Sequence, residues 1–362
     1  MAFITKNRDA YPIAPVGKAT SPASDGVSTA AFGISDFSSA DNLDVVVDGS
    51  IVADLIGVQL RTLNGSDDHS LTVGATGQVI SHNSPGASIQ GNNALILNSG
   101  EIGSLGSRGV SLFNGTNQVL ENHGRIFTAS LNPSFDDAVS IGGDFATVRN
   151  LGTISATSAG GVAISVSSFA NATIETFGTL LARVTAISGG DENDTVRNAG
   201  KIVGNVWLND GNDLFDGAAG SVAGTVFGGD DGDVLRGGEA DDTLLGDSGL
   251  DRLNGRAGDD SLDGGFGDDI VIGGLGDDEL TGGSSADSFV FRRLHGDDTV
   301  TDFTNGFDRL DLSLGIESFS EVSARTRQKG ADVFIDLTDF GGGTILLQDF
   351  ARGDFNAADV LL

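Results

Sequence analysis

Seven aspartates recur at intervals of nine residues, Asp233, Asp242, Asp251, Asp260, Asp269, Asp278 and Asp287, and no insertion breaks the register between 228 and 290. Each holds the sixth place of a unit reading glycine-glycine-x-glycine-x-aspartate-x-apolar-x. Glycines let the backbone turn its carbonyl oxygens outward, and oxygen donors joined by a carboxylate are what a hard cation such as calcium selects. Two places after each aspartate stands Leu235, Leu244, Leu253, Leu262, Val271, Leu280 or Phe289. Each unit thus offers one inward side chain on a very short strand, and the rest of it must be turn. With two units per coil of a parallel roll, units i and i+2 lie above one another, eighteen residues apart. Seven units leave five stacked pairs, so about five ions are expected between the turns.

The pattern resembles the repeat-in-toxin, or hemolysin-type, calcium-binding nonapeptide, a β-helix repeat. GGDDGDVLR at 228, GDSGLDRLN at 246, GRAGDDSLD at 255, GGFGDDIVI at 264, GGLGDDELT at 273 and GGSSADSFV at 282 carry the resemblance. GGEADDTLL at 237 departs from it through Ala240 at the fourth place, and the first and last units also lack the fourth glycine. The resemblance implies calcium held by carbonyls of the first four turn positions and by the sixth-place carboxylates. The implied ligand positions are Gly228 with Asp233, Gly237 and Gly238 with Asp242, Gly246 and Gly249 with Asp251, and Gly255 and Gly258 with Asp260. They continue as Gly264, Gly265 and Gly267 with Asp269, Gly273, Gly274 and Gly276 with Asp278, and Gly282 and Gly283 with Asp287. It further implies export by type I secretion machinery, a one-step ABC-transporter channel reading an uncleaved C-terminal signal. The ending DFNAADVLL, acidic then apolar, is similar to such a signal.

Charge gives the metal a second role. The chain of 362 residues carries 51 acidic against 20 basic side chains, a net charge of −31. Stacked turns bring carboxylates together that repel one another unless a cation lies between them, so metal binding and folding are coupled. Calcium sites of extracellular modules bind at about 10⁻⁴ to 10⁻³ M, which would leave the roll empty and unfolded inside a cell and filled outside. A secreted, extracellular protein is expected, in solution or at a cell surface. The same charge makes nucleic acid and anionic membrane poor partners. There is no cysteine, which excludes disulfides and thiolate metal sites and leaves calcium as the staple. The N-terminus shows no apolar run of signal-peptide length, and no eighteen consecutive apolar residues occur to form a transmembrane segment.

Upstream of the roll, a looser repeat aligns on a turn residue, a glycine and an apolar residue: DGSIV at 48, TGQVI at 76, NSGEI at 98, NHGRI at 122, NLGTI at 150, TFGTL at 176, NAGKI at 198 and AAGSV at 218. Spacings of 20 to 28 residues suit one coil of a parallel β-helix. Alternating segments between them, GVSLF at 109 and AVSIG at 138 among others, add further strands, and three short strands per coil predict a triangular solenoid. Asn98, Asn122, Asn150 and Asn198 recur at one corner, where stacked amides can hydrogen-bond along the axis.

The expected fold is therefore all-β: a right-handed parallel β-helix (β-solenoid) continuing into a calcium-binding parallel β-roll. Residues 1–42 form an N-terminal cap, 43–188 the β-helix, 189–227 transition coils, 228–290 the roll, and 291–362 a C-terminal cap with the export signal. Asp194 and Asp213 stand in similar turns within the transition coils and are weaker metal candidates. FRRLHGDDTVTDFTNGFDRLDLS from 291 resembles the segment that closes the roll in serralysin-type metalloproteases, and VFIDLTDFGGGTILLQDF from 333 reads as a hairpin around Gly341, Gly342 and Gly343.

No catalytic residue is assigned. The four histidines, His69, His82, His123 and His295, do not make the HExxH helix of a zinc protease, and no G-x-S-x-G elbow occurs. The enzymatic alternative is a polysaccharide lyase or uronate epimerase, and its nearest constellation is Asp67, Asp68, His69 and His82, joined by Asp136 and Asp137. One tyrosine, Tyr11, and one tryptophan, Trp207, are few for a sugar-binding platform. Phenylalanines such as Phe113, Phe145 and Phe169 are expected to stack in the core. The reading is a non-enzymatic structural protein of a surface layer, matrix or adhesive assembly, with a cell-surface or matrix polysaccharide or protein as the possible partner.

Overall fold

A computed structural model describes residues 2–6, 34–36, 43–60, 68–129 and 136–362. The chain divides into two compact units, Met1–Val206 and Trp207–Leu362. The division falls within the stretch read as transition coils.

The first unit is a parallel β-helix with three strands per coil. One face stacks Leu43–Val47, Ser70–Val73, Leu95–Asn98, Val119–Asn122, Ala146–Asn150, Ala172–Thr176 and Thr195–Asn198, each parallel to the next. A second stacks Ser50–Ala53, Gln78–Ser81, Glu101–Ser104, Arg125–Thr128 and Thr153–Ala156. The third stacks Ile34–Asp36, Val58–Leu60, Ala87–Gln90, Val110–Thr116, Val139–Asp144 and Ile164–Val166. Strand Thr179–Ser188 joins the second face at one end and the third at the other. Because side chains alternate along a strand, every second residue falls into an axial column. Val45, Leu71, Ile96, Leu120, Val148, Ile174 and Val196 form one such column, and all are buried. A solenoid end exposes unpaired strand edges, and here Ala2–Lys6 runs antiparallel along Leu43–Val47. Apart from this strand and Ile34–Asp36, the expected N-terminal cap, with Tyr11, lies outside the described residues.

The asparagine corner forms as its spacing predicts. The Asn98 side-chain amide donates to Asn122 Oδ1 at 2.7 Å, that of Asn122 to Asn150 Oδ1 at 2.8 Å, and that of Asn150 to Thr176 Oγ1 at 3.2 Å. Thr176 thus takes the place of an asparagine below Asn198, with which it is in register. Asn122→Ala would leave the buried Asn98 amide with only the Arg125 carbonyl oxygen, at 3.2 Å, and take the donor from the buried Asn150 Oδ1. Urea unfolding of this unit is expected to show a loss of about 2–4 kcal/mol, and an unchanged midpoint would mean that the ladder carries no stability.

The roll of the second unit has two strands per coil and, between residues 233 and 289, an eighteen-residue register. Leu235 lies beside Leu253, Leu253 beside Val271 and Val271 beside Phe289. On the opposite wall Leu244, Leu262 and Leu280 align likewise. These seven apolar side chains are at most 1 % exposed, so between residues 228 and 289 a single row of residues on each wall supplies the core. At the far end, Thr326–Lys329, Asp332–Asp336 and Thr344–Leu347 form an antiparallel meander, its last strand parallel to Asp297–Val300. The link between its last two strands contains Gly341 at φ 77°, at the three-glycine run. A short helix, Phe319–Ala324, and the ring contacts Phe289 to Phe303, Phe303 to Phe350 and Phe350 to Phe355 fill the space beneath. Val360–Leu361 pairs with Leu310–Asp311.

Phe145 and Phe169 are not core residues: they are 60 % and 85 % exposed. Phe145 occupies a corner place with φ 54°, as Asn117 and Asn93 do one and two coils away, with φ 54° and 53°. That corner directs its side chain outward, and the inward places of the coil are already filled by residues such as Ile141, Val148 and Ile154.

Candidate metal centres

The seven sixth-place aspartates line up in two columns, one on each edge of the roll. On one edge the Asp233 N–H donates to Asp251 Oδ1 at 2.7 Å, Asp251 N–H to Asp269 Oδ1 at 2.8 Å and Asp269 N–H to Asp287 Oδ1 at 2.9 Å. On the other, Asp242 N–H donates to Asp260 Oδ1 at 2.7 Å and Asp260 N–H to Asp278 Oδ1 at 2.9 Å. Oδ1 therefore ties one coil to the next, and Oδ2 is left for something else. In Asp233, Asp251, Asp260, Asp269, Asp278 and Asp287, Oδ2 is buried and has no hydrogen-bond partner. Native proteins leave few buried polar atoms unpaired, and six equivalent ones in register mark a site built for another group.

Local backbone geometry explains the positioning. The second residue of each of these six turns, Gly229, Asp247, Arg256, Gly265, Gly274 and Gly283, has φ between 70° and 126°, which glycine adopts without a Cβ penalty. The first-place glycines serve a different purpose. A Cβ on Gly246 would fall against Asp251 Oδ2 and the Gly264 carbonyl oxygen, and one on Gly264 against Asp269 Oδ2 and the Gly282 carbonyl oxygen. The small residue is required because carboxylate and carbonyl oxygens of two stacked turns converge there. Gly228 repeats the arrangement with Asp233 and Gly246, while Gly255, Gly273 and Gly282 each abut the carboxylate of their own unit.

Burial pushes the carboxyls up, to about 7 for Asp233, Asp251, Asp278 and Asp287 and to about 6 for Asp260. The amide bound to Oδ1 opposes this, and aspartates of neighbouring turns add to it. Asp269 is raised for the same reasons. Among the described residues no three His, Cys, Asp or Glu side chains converge on a point, so backbone oxygens must supply most of any ligand set. That combination suits calcium, which takes six to eight oxygens in adaptable geometry, rather than a nitrogen- or sulfur-seeking metal. Bound there, calcium would supply positive charge to the Oδ2 column.

Asp242 differs from the other six: its Oδ2 accepts from the Gly238 N–H of its own turn at 2.6 Å, and Gly238 is not left-handed. Asp194 repeats this, with Oδ2 accepting from Gly190 N–H at 2.8 Å and Oδ1 from Ala172 N–H at 2.6 Å. The Asp213 N–H donates to Asp233 Oδ1 at 2.8 Å, and the Asp213 turn has Asn209 at φ 75° and Gly211 at φ 120°, the conformation of the six. Two further aspartates extend the columns beyond the nine-residue register. Asp287 N–H donates to Asp308 Oδ1 and Asp278 N–H to Asp298 Oδ1, both at 3.0 Å. Insertions place these 21 and 20 residues on, which hides them from a search for a period of nine.

The fifth-place aspartates form an exposed ladder that the sequence reading missed. Asp259 N–H donates to Asp241 Oδ1 and Asp277 N–H to Asp259 Oδ1, both at 2.9 Å, and Asp297 N–H to Asp277 Oδ1 at 2.8 Å. Its signal was a second column of period eighteen, present in only one of the two edges.

Four residues of the enzymatic alternative have partners outside that constellation. Asp67 lies outside the described residues. Asp68 accepts from the Asn93 side chain at 2.9 Å, His82 pairs with Asp54 at 3.3 Å, Asp136 accepts from Ser158 Oγ, and Asp137 pairs with Arg108 at 3.7 Å. His69 is buried.

Residues 227–262 and 263–290 match the family model of the RTX calcium-binding nonapeptide repeat (4 copies). Among solved structures, the chain is similar to the AlgE6R2 subunit of the Azotobacter vinelandii mannuronan C5-epimerase, at 29 % identity over 35 % of this chain and 91 % of that one, with a TM-score of 0.29. It is also similar to the extracellular lipase LipA of Serratia marcescens, at 17 % identity over 52 % of this chain and 40 % of that one, with a TM-score of 0.28. No curated protein matches the chain.

Proposed function

We propose that this chain, whose residues 227–290 are RTX calcium-binding nonapeptide repeats, is a secreted, calcium-folded solenoid with a structural, surface-layer, matrix or adhesive role and no catalytic activity. The observation that carries the calcium part is the row of six buried Oδ2 atoms without a hydrogen-bond partner. Export follows from the same chemistry: a roll held open by carboxylate repulsion where calcium is scarce stays unfolded and threadable, and it closes where calcium is abundant. Type I secretion machinery handles chains in that state, and a cysteine-free sequence needs no oxidising compartment. The non-enzymatic reading is supported by the separate pairing of Asp68, His82, Asp136 and Asp137. The partner class is a polysaccharide or protein of the cell surface or matrix, which the long faces of a solenoid suit.

Fractionating the native source into culture fluid, cell surface and cytosol tests this reading, with the protein expected outside the cell. A cytosolic location would refute export. Incubation with alginate or pectin should release no uronic acid; release that is lost on changing His82 to Ala would replace the structural role with the enzymatic one.

A further inference from the structure

We infer that the turn 237–242 is closed by its own backbone and takes no calcium, so that cation binding in the repeat array is confined to the turns whose second residue is left-handed. This rests on the calcium reading of the repeats and deepens it.

Two linked features, the φ of the second residue and the pairing of Oδ2 with its N–H, separate nine turns into two groups. In the six turns ending at Asp233, Asp251, Asp260, Asp269, Asp278 and Asp287, the second residue has positive φ and Oδ2 has no hydrogen-bond partner. In three others the second residue is not left-handed, and its N–H binds Oδ2: Gly190 to Asp194 at 2.8 Å, Gly238 to Asp242 at 2.6 Å and Thr304 to Asp308 at 2.7 Å. The peptide plane before the second residue thus acts as a switch. Turned one way, it directs an N–H at the carboxylate, which then has a donor of its own. Turned the other way, it withdraws that donor and leaves Oδ2 to a cation.

The closed turns also have a place in the architecture. The column Asp242, Asp260, Asp278, Asp298 is closed at both ends, at Asp242 by Gly238 and at Asp298 by His295, whose Nδ1 lies 2.7 Å from Asp298 Oδ2. In this last turn the second residue, Leu294, is left-handed at φ 64°, and a side chain takes over the role of the missing amide. The other column ends at Asp308, closed by Thr304. Protein donors therefore satisfy the carboxylates at these three column ends and cations the interior ones. At the fourth place Gly258, Gly267 and Gly276 stand at φ 118° to 134° and the polar Asp231 and Ser285 are also left-handed, whereas Ala240 in the closed turn and Gly249 in an open one are not. A left-handed alanine carries a Cβ penalty and has no polar side chain to offset it.

Equilibrium dialysis of the full chain against radioactive calcium tests this. Asp242→Asn is expected to bind as many ions at saturation as the unaltered chain, whereas Asp260→Asn, in the next turn of the same column, binds at least one fewer. Asp269→Asn repeats the comparison on the other edge, should Asp260→Asn fail to fold. If Asp242→Asn loses an ion as these variants do, the closed turn is a calcium site and the inference falls while the calcium reading stands. If the unaltered chain binds no calcium, the calcium reading itself falls.

Discussion

Chelating calcium should unfold residues 207–362 and leave the three-stranded unit standing. The first unit is held by apolar columns and an asparagine ladder, neither of which needs an ion. In the second, each coil contributes one apolar side chain per wall to the core and one carboxylate per edge that lacks a counter-charge. Tenfold saturation of one site adds roughly 1.4 kcal/mol, and about five sites add about 7 kcal/mol. That is comparable with the entire stability of a domain, about 5–15 kcal/mol. Hydrogen exchange read by mass spectrometry is the suitable measurement. With chelator, peptides containing Leu253 and Leu262 should lose protection while those containing Leu120 and Val148 keep it. Equal protection in both states at 253–262 would mean that the roll stands without metal.

Acidification should partly replace the metal. In the unfolded chain an aspartate titrates at about 3.9, and in the fold Asp233, Asp251, Asp278 and Asp287 are pushed up to about 7 and Asp260 to about 6. A folded value above the unfolded one means that the fold binds protons more tightly. The contribution is fully present below the unfolded value and is lost as pH rises through the folded value. Metal-free protein should therefore gain β structure by circular dichroism as pH falls from about 7 toward 4, the window between those values. Calcium should bind more weakly over the same range, because each proton occupies an oxygen the ion needs. Stability of the metal-free roll that is flat or falls on acidification would remove burial of the carboxyls from the account.

Much of this was legible in the sequence because solenoids translate linear period into spatial register. A spacing of nine with an apolar residue two places after each aspartate specifies both walls of the roll, and Leu235, Leu253 and Val271 stack as the spacing requires. The three-strand coil and its asparagine corner followed from short alternating runs between turn residues. What was hidden depends on backbone dihedrals and on irregular segments. Asp242 has the same place in its unit as Asp260, yet the peptide plane at Gly238 separates them. Phe145 reads as a core residue until its corner is seen to be left-handed. Strand Thr326–Lys329 and helix Phe319–Ala324 belong to the cap, where no repeat constrains the reading.

The most direct measurement is a crystal structure of the full chain grown with calcium, with anomalous scattering used to place the ions. The account predicts calcium about 2.3–2.6 Å from Oδ2 of Asp251 and Asp269, with carbonyl oxygens of two stacked turns completing each shell. Water alone at those oxygens, at saturating calcium, would contradict it.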